Sequence, residues 1–173
     1  MGTHRSELNW HIPVAFGVTA LLVVTVDQLT KIWIRLNLSL GQSLPAHGFF
    51  RITHVRNTGA TFGLFPDQSF LLTIVAAAVA ILLLVFVIFF LWRVPSLDNI
   101  PGRLALGLIF GGVMGNLIDR LLFGYVNDFI NIGIWPAVFN IADSAMRVGT
   151  IMAVYLLLSS GVVIKRQSGP VLQ

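Results

Sequence analysis

The sequence predicts an all-α membrane protein with four transmembrane helices and a short piece of β-structure outside the membrane, between the first two helices. Two observations support this fold class. Of the 173 residues, 56% are hydrophobic and only 10% are charged, whereas a soluble domain carries roughly a quarter charged residues. In addition, four apolar stretches are long enough to cross the ~30 Å hydrocarbon layer as helices. We therefore expect one integral membrane domain over residues 1–173.

The first predicted helix is apolar from Ile12 to Val26 and continues amphipathically through Asp27 and Lys31. Its basic start and apolar core are also typical of a secretory signal, but no small-x-small cleavage site follows, which favours an uncleaved helix. The second stretch, Phe70–Trp92, contains no charge at all. The four predicted helices span about 12–34, 69–92, 103–123 and 138–164.

A stripe of glycines marks one face of the third predicted helix. Gly107, Gly111 and Gly115 recur every four residues. Such stripes let two helix backbones approach closely. The pattern predicts helix packing at this face rather than chemistry.

The segment 35–69, between the first two helices, is more than a linker. Phe49–Val55 is rich in aromatic and β-branched residues, which predicts a short strand or hairpin at the membrane surface. In RNTGATFG, at 56–63, Asn57 is followed by small residues, which suits a place where another backbone comes close. An ordinary turn is the alternative interpretation.

Four spans place both termini and the loop Arg93–Arg103 on one side of the membrane, and the loops 35–69 and 124–137 on the other. Orientation normally follows from the Lys and Arg counts, but here five stand on the terminal side and six on the other. If several of the six cations pair with the acids of a site, they should be left out of this count. The terminal side then carries more Lys and Arg than the other side, which favours cytoplasmic termini.

Five of the seven carboxylates lie near the same ends of the predicted helices: Asp27, Asp67, Asp119, Asp128 and Asp143. Acids near hydrocarbon are costly, so they tend to face protein or water and to serve function. Asp27 and Lys31 are four residues apart on one helix, which predicts a salt bridge that positions the helix end.

The motif GNLIDR puts Asn116, Asp119 and Arg120 on one face of the third helix, near its end. Two interpretations stay open. Buried polar groups need partners, so these side chains could form a network that anchors the helix end. Alternatively, Asn116 and Arg120 could face the backbone or head group of a substrate.

Asp128 and Asp143 are the candidate catalytic pair. Gly133 and Pro136 lie between them and preclude one uninterrupted helix, so the short loop can fold back and bring both carboxylates together at the membrane surface. Asn140, three residues before Asp143, would share its helix face. Asp143 could instead be a helix-start residue that the helix dipole favours.

Five motifs occur in this order: VDQLTK at 26–31, RNTGATFG at 56–63, GNLIDR at 115–120, VNDF at 126–129 and FNIADS at 139–144. Together they make the chain resemble the lipoprotein signal peptidases (signal peptidase II, the A8 family of aspartic peptidases) from about residue 15 to 164. One departure is Asn127, where the family often has Val before the catalytic Asp.

The resemblance implies that Asp128 and Asp143 form a catalytic dyad, and that a β-cradle at about 36–66 cups the substrate outside the membrane. The implied substrate is a bacterial prolipoprotein whose lipobox Cys carries diacylglycerol, cut just before that Cys. The implied place is the bacterial inner membrane, with the site near its outer face. Site-lining roles are implied for Asn57, Gly59, Asn116, Arg120 and Asn140, and supporting roles for Asp27, Lys31 and Asp119.

Two close carboxylates cannot both ionise easily, so one should hold a proton while the other stays charged. The charged group can activate a water and the protonated group can polarise the scissile carbonyl, with no covalent intermediate. Which Asp is protonated stays open. The expected partners are the prolipoprotein substrate and membrane lipid, and we expect a monomer.

Other chemistries are disfavoured. Cys is absent, which excludes disulfides and thiolate chemistry. The sequence also lacks a basic run with interleaved aromatic residues, so we expect no nucleic-acid partner. We expect no cofactor and no metal, since the four histidines form no HExxH motif; His54 is interpreted as a surface strand residue. Ser144 has no nucleophile elbow nearby, so serine catalysis is also disfavoured.

Two other functions remain open. One is an ion- or proton-coupled transporter, for which Arg147 is the best candidate residue, and the other is a non-catalytic scaffold.

Overall fold

Four long helices and a three-stranded sheet make up the part of the chain that the computed structural model describes, residues 11–59, 68–135 and 137–167. Each of the four helices is long and apolar enough to cross a membrane. This confirms the predicted fold class.

Asp67, Pro136 and residues 60–63 of the glycine-containing motif lie outside the described residues. The elements are α1 (His11–Asn37), β1 (Ser43–Leu44), β2 (Phe50–Asn57), α2 (Ser69–Val85), α3 (Ile100–Phe123), β3 (Val126–Ile132) and α4 (Ile141–Gln167).

Helix α3 is the centre of the bundle. Half of its membrane-spanning window is buried inside the protein, against 11% for that of α2. The predicted glycine stripe packs against α1: a Cβ on Gly107 would lie 2.8 Å from the Phe16 carbonyl oxygen, and one on Gly111 would lie 2.8 Å from that of Ala20. The glycines therefore bring two backbones together, as the pattern indicated.

The sheet combines two distant parts of the chain. Its order is β1-β2-β3 with antiparallel pairing, so the strand after α3 completes a sheet that begins after α1. Strand β2 confirms the strand predicted at Phe49–Val55, whereas β3 was predicted only as a loop that folds back. The pairing runs from Phe50 with Ile132 to Asn57 with Val126, and it carries Asp128 to the end of the bundle where α4 begins.

A β-bulge interrupts the pairing of β2 with β3. Ile52 pairs with Ile130 and Val55 pairs with Asp128, so two residues of β2, Thr53 and His54, lie opposite one residue of β3. A bulge re-aims side chains that would otherwise alternate between the two faces. Consequently Thr53 and His54 are both buried although they are consecutive.

Candidate active site

The start of α4 is held by a reciprocal pair of hydrogen bonds between Asn140 and Asp143. The Asp143 backbone N–H donates to Asn140 Oδ1 at 2.9 Å, and the Asn140 backbone N–H donates to Asp143 Oδ2 at 3.4 Å. Residue pairs with this spacing satisfy backbone donors that the first helical turn leaves free. Asp143 is thus a helix-start residue, as the alternative interpretation had it, and it is also positioned at the candidate site.

Asp128 and Asp143 line one cavity of about 230 Å³. Its polar wall comes from β2, β3, α3 and α4. One apolar wall comes from α2 through Leu72, Val75, Ala76 and Val79. The side chain of Asn140 connects the two acids, because its Nδ2 donates to Asp128 Oδ1 at 2.7 Å while its Oδ1 accepts from the Asp143 backbone. The loop between the acids therefore folds back as predicted.

Asp128 is 2% exposed and lies on β3, outside the membrane-spanning helices. Burial and the neighbouring charge of Asp143 raise the pKa of Asp128 from 3.8 to about 7, although hydrogen bonds from Asn57 and Asn140 favour its ionised form and act in the opposite direction. Two neighbouring carboxylates, one of them buried, give this result because both cannot ionise cheaply. The pair can therefore hold one proton near neutral pH.

Asn116 links the acids to a buried cation. Its Nδ2 donates to Asp143 Oδ1 at 2.8 Å, and its Oδ1 accepts from Lys31 Nζ at 3.0 Å and from Asn140 Nδ2 at 3.0 Å. Both the nitrogen and the oxygen of this amide are thus hydrogen-bonded within the protein. Both open interpretations of the GNLIDR motif hold in part, since Asn116 belongs to a network and also lines the cavity.

Lys31 is completely buried between two carboxylates. Its Nζ lies 2.8 Å from Asp27 Oδ2, which confirms the predicted pair, and 3.3 Å from Asp119 Oδ2. Breaking a buried pair by removing one partner leaves an uncompensated charge and is strongly destabilising. Asp27, Lys31 and Asp119 are not among the residues that line the cavity.

Arg120 and the end of β2 close the cavity on another side. The Asn57 Nδ2 donates to Asp128 Oδ2 at 2.9 Å, and the Gly59 N–H donates to Asn57 Oδ1 at 3.0 Å, so Asn57 is both a turn residue and a site residue. Arg120 Nη2 donates to the Gly59 carbonyl at 3.2 Å while its guanidinium lines the cavity. The buried Nε of Arg120 has no hydrogen-bond partner among the described residues.

Three predictions for single residues need correction or addition. His54 is not on the surface but 5% exposed, because the bulge turns it inward. Arg147, the best residue for a transporter, lines the cavity, and its guanidinium carbon lies 4.7 Å from the Phe139 ring centre. Arg35, 3.7 Å from Asp119, joins the network, which its sequence context did not indicate.

No group of three or more His, Cys, Asp or Glu side chains within residues 11–59, 68–135 and 137–167 has an arrangement that could hold a metal ion. The acids of the site are separated instead by amides and cations. The groups that surround the two acids are therefore hydrogen-bond donors, such as the amides of Asn116 and Asn140, and not further metal ligands. Four membrane-spanning helices and a sheet thus bring two carboxylates, of which Asp128 is buried and Asp143 is partly exposed, into one cavity, an arrangement suited to acid–base chemistry.

Comparison with known proteins identifies the family. The family model for signal peptidase (SPase) II, Peptidase_A8, matches residues 19–159. The chain belongs to this family of signal peptidase II proteases. It is thus a multi-pass bacterial membrane protease.

Relatives and solved structures agree with this assignment. The chain is 45% identical to a lipoprotein signal peptidase of Dehalococcoides mccartyi over 84% of this chain and 89% of the relative. It is also 45% identical to that of Moorella thermoacetica, over 83% and 92% of the two chains. A bacterial membrane enzyme solved by the in meso method at 2.3 Å resolution is similar with a TM-score of 0.77 and 32% identity, over 91% of this chain and 94% of that one.

Proposed function

We propose that the protein is a membrane aspartic endopeptidase that removes the signal peptide from diacylglyceryl-modified prolipoproteins by cutting just before the lipidated Cys. The observation that carries this proposal is the placement of Asp128 and Asp143 in one cavity, held by the same Asn140 side chain. The relatives named lipoprotein signal peptidase support the substrate class.

In the proposed mechanism, the Asp128–Asp143 pair holds one proton, and Asp128 is its protonated member. The raised pKa of Asp128, about 7, follows from its burial and from the charge of Asp143. Asp143 lies in the first turn of α4, where the helix dipole favours a negative charge. Asp143 therefore acts as the general base on a water, and Asp128 donates a hydrogen bond to the scissile carbonyl.

The remaining site residues hold the reactants. Arg120 and Asn57 line the cavity beside Asp128, where they bind the peptide backbone of the substrate. The apolar wall from α2 packs against the hydrophobic part of the signal peptide, since apolar surface is favourably buried there. The Gly59 N–H donates to Asn57 Oδ1 at 3.0 Å and so helps to orient the Asn57 side chain.

The decisive experiment uses one prolipoprotein in two forms, with and without diacylglycerol on its lipobox Cys. A gel shift should appear only for the lipidated form, and mass spectrometry of the product should show the lipidated Cys at its new N-terminus. Equal cleavage of both forms, or a cut elsewhere, would overturn the substrate assignment. Proton-gradient-driven flux in liposomes without cleavage would support the transporter instead.

A trapping experiment tests the absence of a covalent intermediate. Direct attack by water forms a tetrahedral diol whose collapse gives a free acid. With hydroxylamine added during turnover, the released signal peptide should therefore carry only a carboxylate at its C-terminus. A hydroxamate product would show that an acyl-enzyme forms.

The proposed orientation has cytoplasmic termini and the cavity near the outer face of the membrane. The chain contains no Cys, so single cysteines can be introduced as labels. Ala46→Cys, in the exposed segment before β2, should react with an impermeant thiol reagent added outside intact spheroplasts. Ser168→Cys should react only after lysis; the reverse pattern would invert the proposed topology.

A further inference from the structure

Arg147 is a cation in the membrane-spanning part of α4, Ile141–Ser160, that the proposed mechanism does not use. It lies six residues beyond the first residue of the helix, or about 9 Å along the axis at 1.5 Å per residue. A charge in such a span is costly, so a charged residue there is a candidate functional residue. We therefore examined what its guanidinium can bind.

The guanidinium of Arg147 lies over two aromatic rings. Its central carbon is 4.7 Å from the ring centre of Phe139 and 5.6 Å from that of Trp135, and both aromatic residues precede α4 in the chain. Long cationic side chains reach towards the membrane interface in this way while their stems stay in apolar surroundings. Within residues 11–59, 68–135 and 137–167, no salt bridge or hydrogen bond is formed by Arg147. Its N–H groups can therefore donate to a ligand.

Arg147 lines two adjoining spaces. One is the cavity of the candidate dyad. The other is a groove of about 460 Å³ along α4, the α4 groove, which is lined by Asp143, Met146, Arg147, Thr150 and Ile151. Three of these residues, Asp143, Met146 and Arg147, also line the cavity. The α4 groove thus continues from the candidate catalytic site along the membrane-spanning helix.

Among the described residues that line the α4 groove, Arg147 is the one that supplies free hydrogen-bond donors. The Thr150 hydroxyl donates to the Met146 carbonyl at 2.7 Å, so its proton is already used. The side chains of Met146 and Ile151 are apolar, and the Asp143 carboxylate only accepts. A guanidinium has five N–H donors and no acceptor. The groove is therefore suited to an apolar ligand that carries hydrogen-bond acceptors.

We propose that Arg147 is a specificity-determining residue that binds the ester carbonyl oxygens of the diacylglyceryl group on the substrate Cys, with an acyl chain of that group in the α4 groove. This inference rests on the proposed function. A diacylglyceryl thioether has ester carbonyl oxygens that accept hydrogen bonds and has no N–H or O–H group, so it complements both the guanidinium and the apolar lining. Cleavage just before the lipidated Cys also places this group a few bonds from the scissile carbonyl, where the groove begins at Asp143.

The two apolar parts of the substrate then contact different helices. The signal peptide packs against the α2 wall of the cavity, and the acyl chain lies along α4. Arg147 lies where the cavity and the α4 groove meet. A site that hydrogen-bonds a substrate group discriminates against an analogue that lacks the group. Selection of the lipidated substrate therefore follows from this one side chain and the groove beside it.

The test uses two forms of one prolipoprotein, with either ester-linked or ether-linked chains of equal length on the glycerol of the Cys. The ether form keeps the chains but has no carbonyl oxygens. The full-length protein is placed in nanodiscs of ether-linked phospholipid, so that the substrate supplies the ester groups. Arg147→Met should lower kcat/KM about tenfold for the ester form and leave the ether form near the wild-type value.

Equal slowing of both forms by Arg147→Met would overturn the proposal, because it would show that Arg147 acts through the fold, the peptide or a phospholipid phosphate. Unchanged cleavage of the ester form would also overturn it. Any difference between the two forms that does not involve Arg147 cancels in this comparison. Arg93→Met is the matched control, since the Arg93 guanidinium carbon lies 4.8 Å from the Trp92 ring centre at the other end of the bundle. It should cleave both forms like wild type, and an ester-specific loss there would count against the proposal.

A binding measurement separates this inference from the proposed function. Labelled Cys peptides with ester-linked or ether-linked chains are bound to the same nanodiscs, and the signal of empty nanodiscs is subtracted. Wild type should bind the ester peptide about tenfold more tightly than Arg147→Met does, with no difference for the ether peptide. Equal Kd values of the two proteins for the ester peptide would overturn the role of Arg147. If the wild type cleaves no prolipoprotein, the proposed function fails while these Kd values still decide whether Arg147 binds the esters.

Discussion

The Asp27 carboxylate of α1 accepts a hydrogen bond from the Ala142 backbone N–H of α4 at 2.9 Å, across 115 residues of sequence. The same carboxylate binds Lys31 at 2.8 Å. The first turn of α4, which carries Asp143, is therefore fixed by a side chain from the first helix. This contact connects the buried ion pair to the candidate catalytic site.

Asp27→Asn should destabilise the protein by about 3–5 kcal/mol, because it removes a counter-ion from the buried Lys31. Unfolding of the purified protein in detergent measures the change. Asp98→Asn is the matched control, since Asp98 also pairs with a cation at 2.8 Å but is 30% exposed. We expect about 1 kcal/mol or less for the control; equal small effects for both variants would contradict the account of the buried pair.

Asn140→Ser separates helix capping from the connection of the two acids. Serine keeps an oxygen that can cap α4, but it has no amide to reach Asp128. The protein should thus lose only about 1–3 kcal/mol of stability, the cost of leaving the buried partners of the amide unpaired, while kcat/KM for prolipoprotein cleavage falls about 10- to 100-fold. The control is Asn99→Ser at the start of α3, where Asn99 accepts from the Gly102 N–H at 2.9 Å. Comparable activity of the two variants would show that the amide of Asn140 is not needed.

Asp128→Asn should change how stability depends on pH. The pKa of Asp128 is raised from 3.8 to about 7, so the folded protein binds this proton more tightly than the unfolded chain. Wild-type stability should then fall as pH rises through this window, by up to about 1.4 kcal/mol per pH unit, and level off above pH ~7. Asparagine does not titrate, so the variant should gain stability relative to wild type between about pH 5 and 7.

Parallel stability curves for the two proteins would contradict the raised pKa. A constant offset between the curves carries no information, because the substitution also removes one acceptor oxygen from the site. The measurement is therefore the slope of the difference in unfolding free energy against pH.

Gly111→Ala should weaken the packing of α3 against α1. The added Cβ would lie 2.8 Å from both the Ala20 carbonyl oxygen and the Val23 Cβ, so one helix must move. Overpacking of this kind costs about 1–3 kcal/mol. Gly17→Ala has nothing within 4 Å and should be neutral or slightly stabilising; thermal melting of the two variants compares them, and an undisturbed Gly111→Ala would contradict the close approach.

The fold class could be predicted because it depends on local signals. Hydropathy over each window identifies a membrane helix without knowledge of its neighbours, and the spacing of Asp27 and Lys31 on one helix is enough to predict their pair. The glycine stripe likewise indicated a packing face. Each of these features can be predicted from residues of a single helix and the known periodicity of a helix.

The parts that escaped prediction depend on distant residues. Strand β3 forms only because β2 offers an edge far away in the sequence. The burial of His54 depends on a bulge in that same pairing, and alternation along β2 alone gives the opposite face. Arg35 lies one helical turn beyond Lys31, and only the packing of α3 brings Asp119 within its reach.

The most direct test of the dyad is prolipoprotein cleavage by purified Asp128→Asn and Asp143→Asn, each checked for wild-type folding by its helical circular dichroism and its elution as a single species. The account predicts that both variants lose turnover by roughly 10³-fold or more, while Asp98→Asn cleaves like wild type. Full turnover by either correctly folded variant would contradict a mechanism in which the two carboxylates act together.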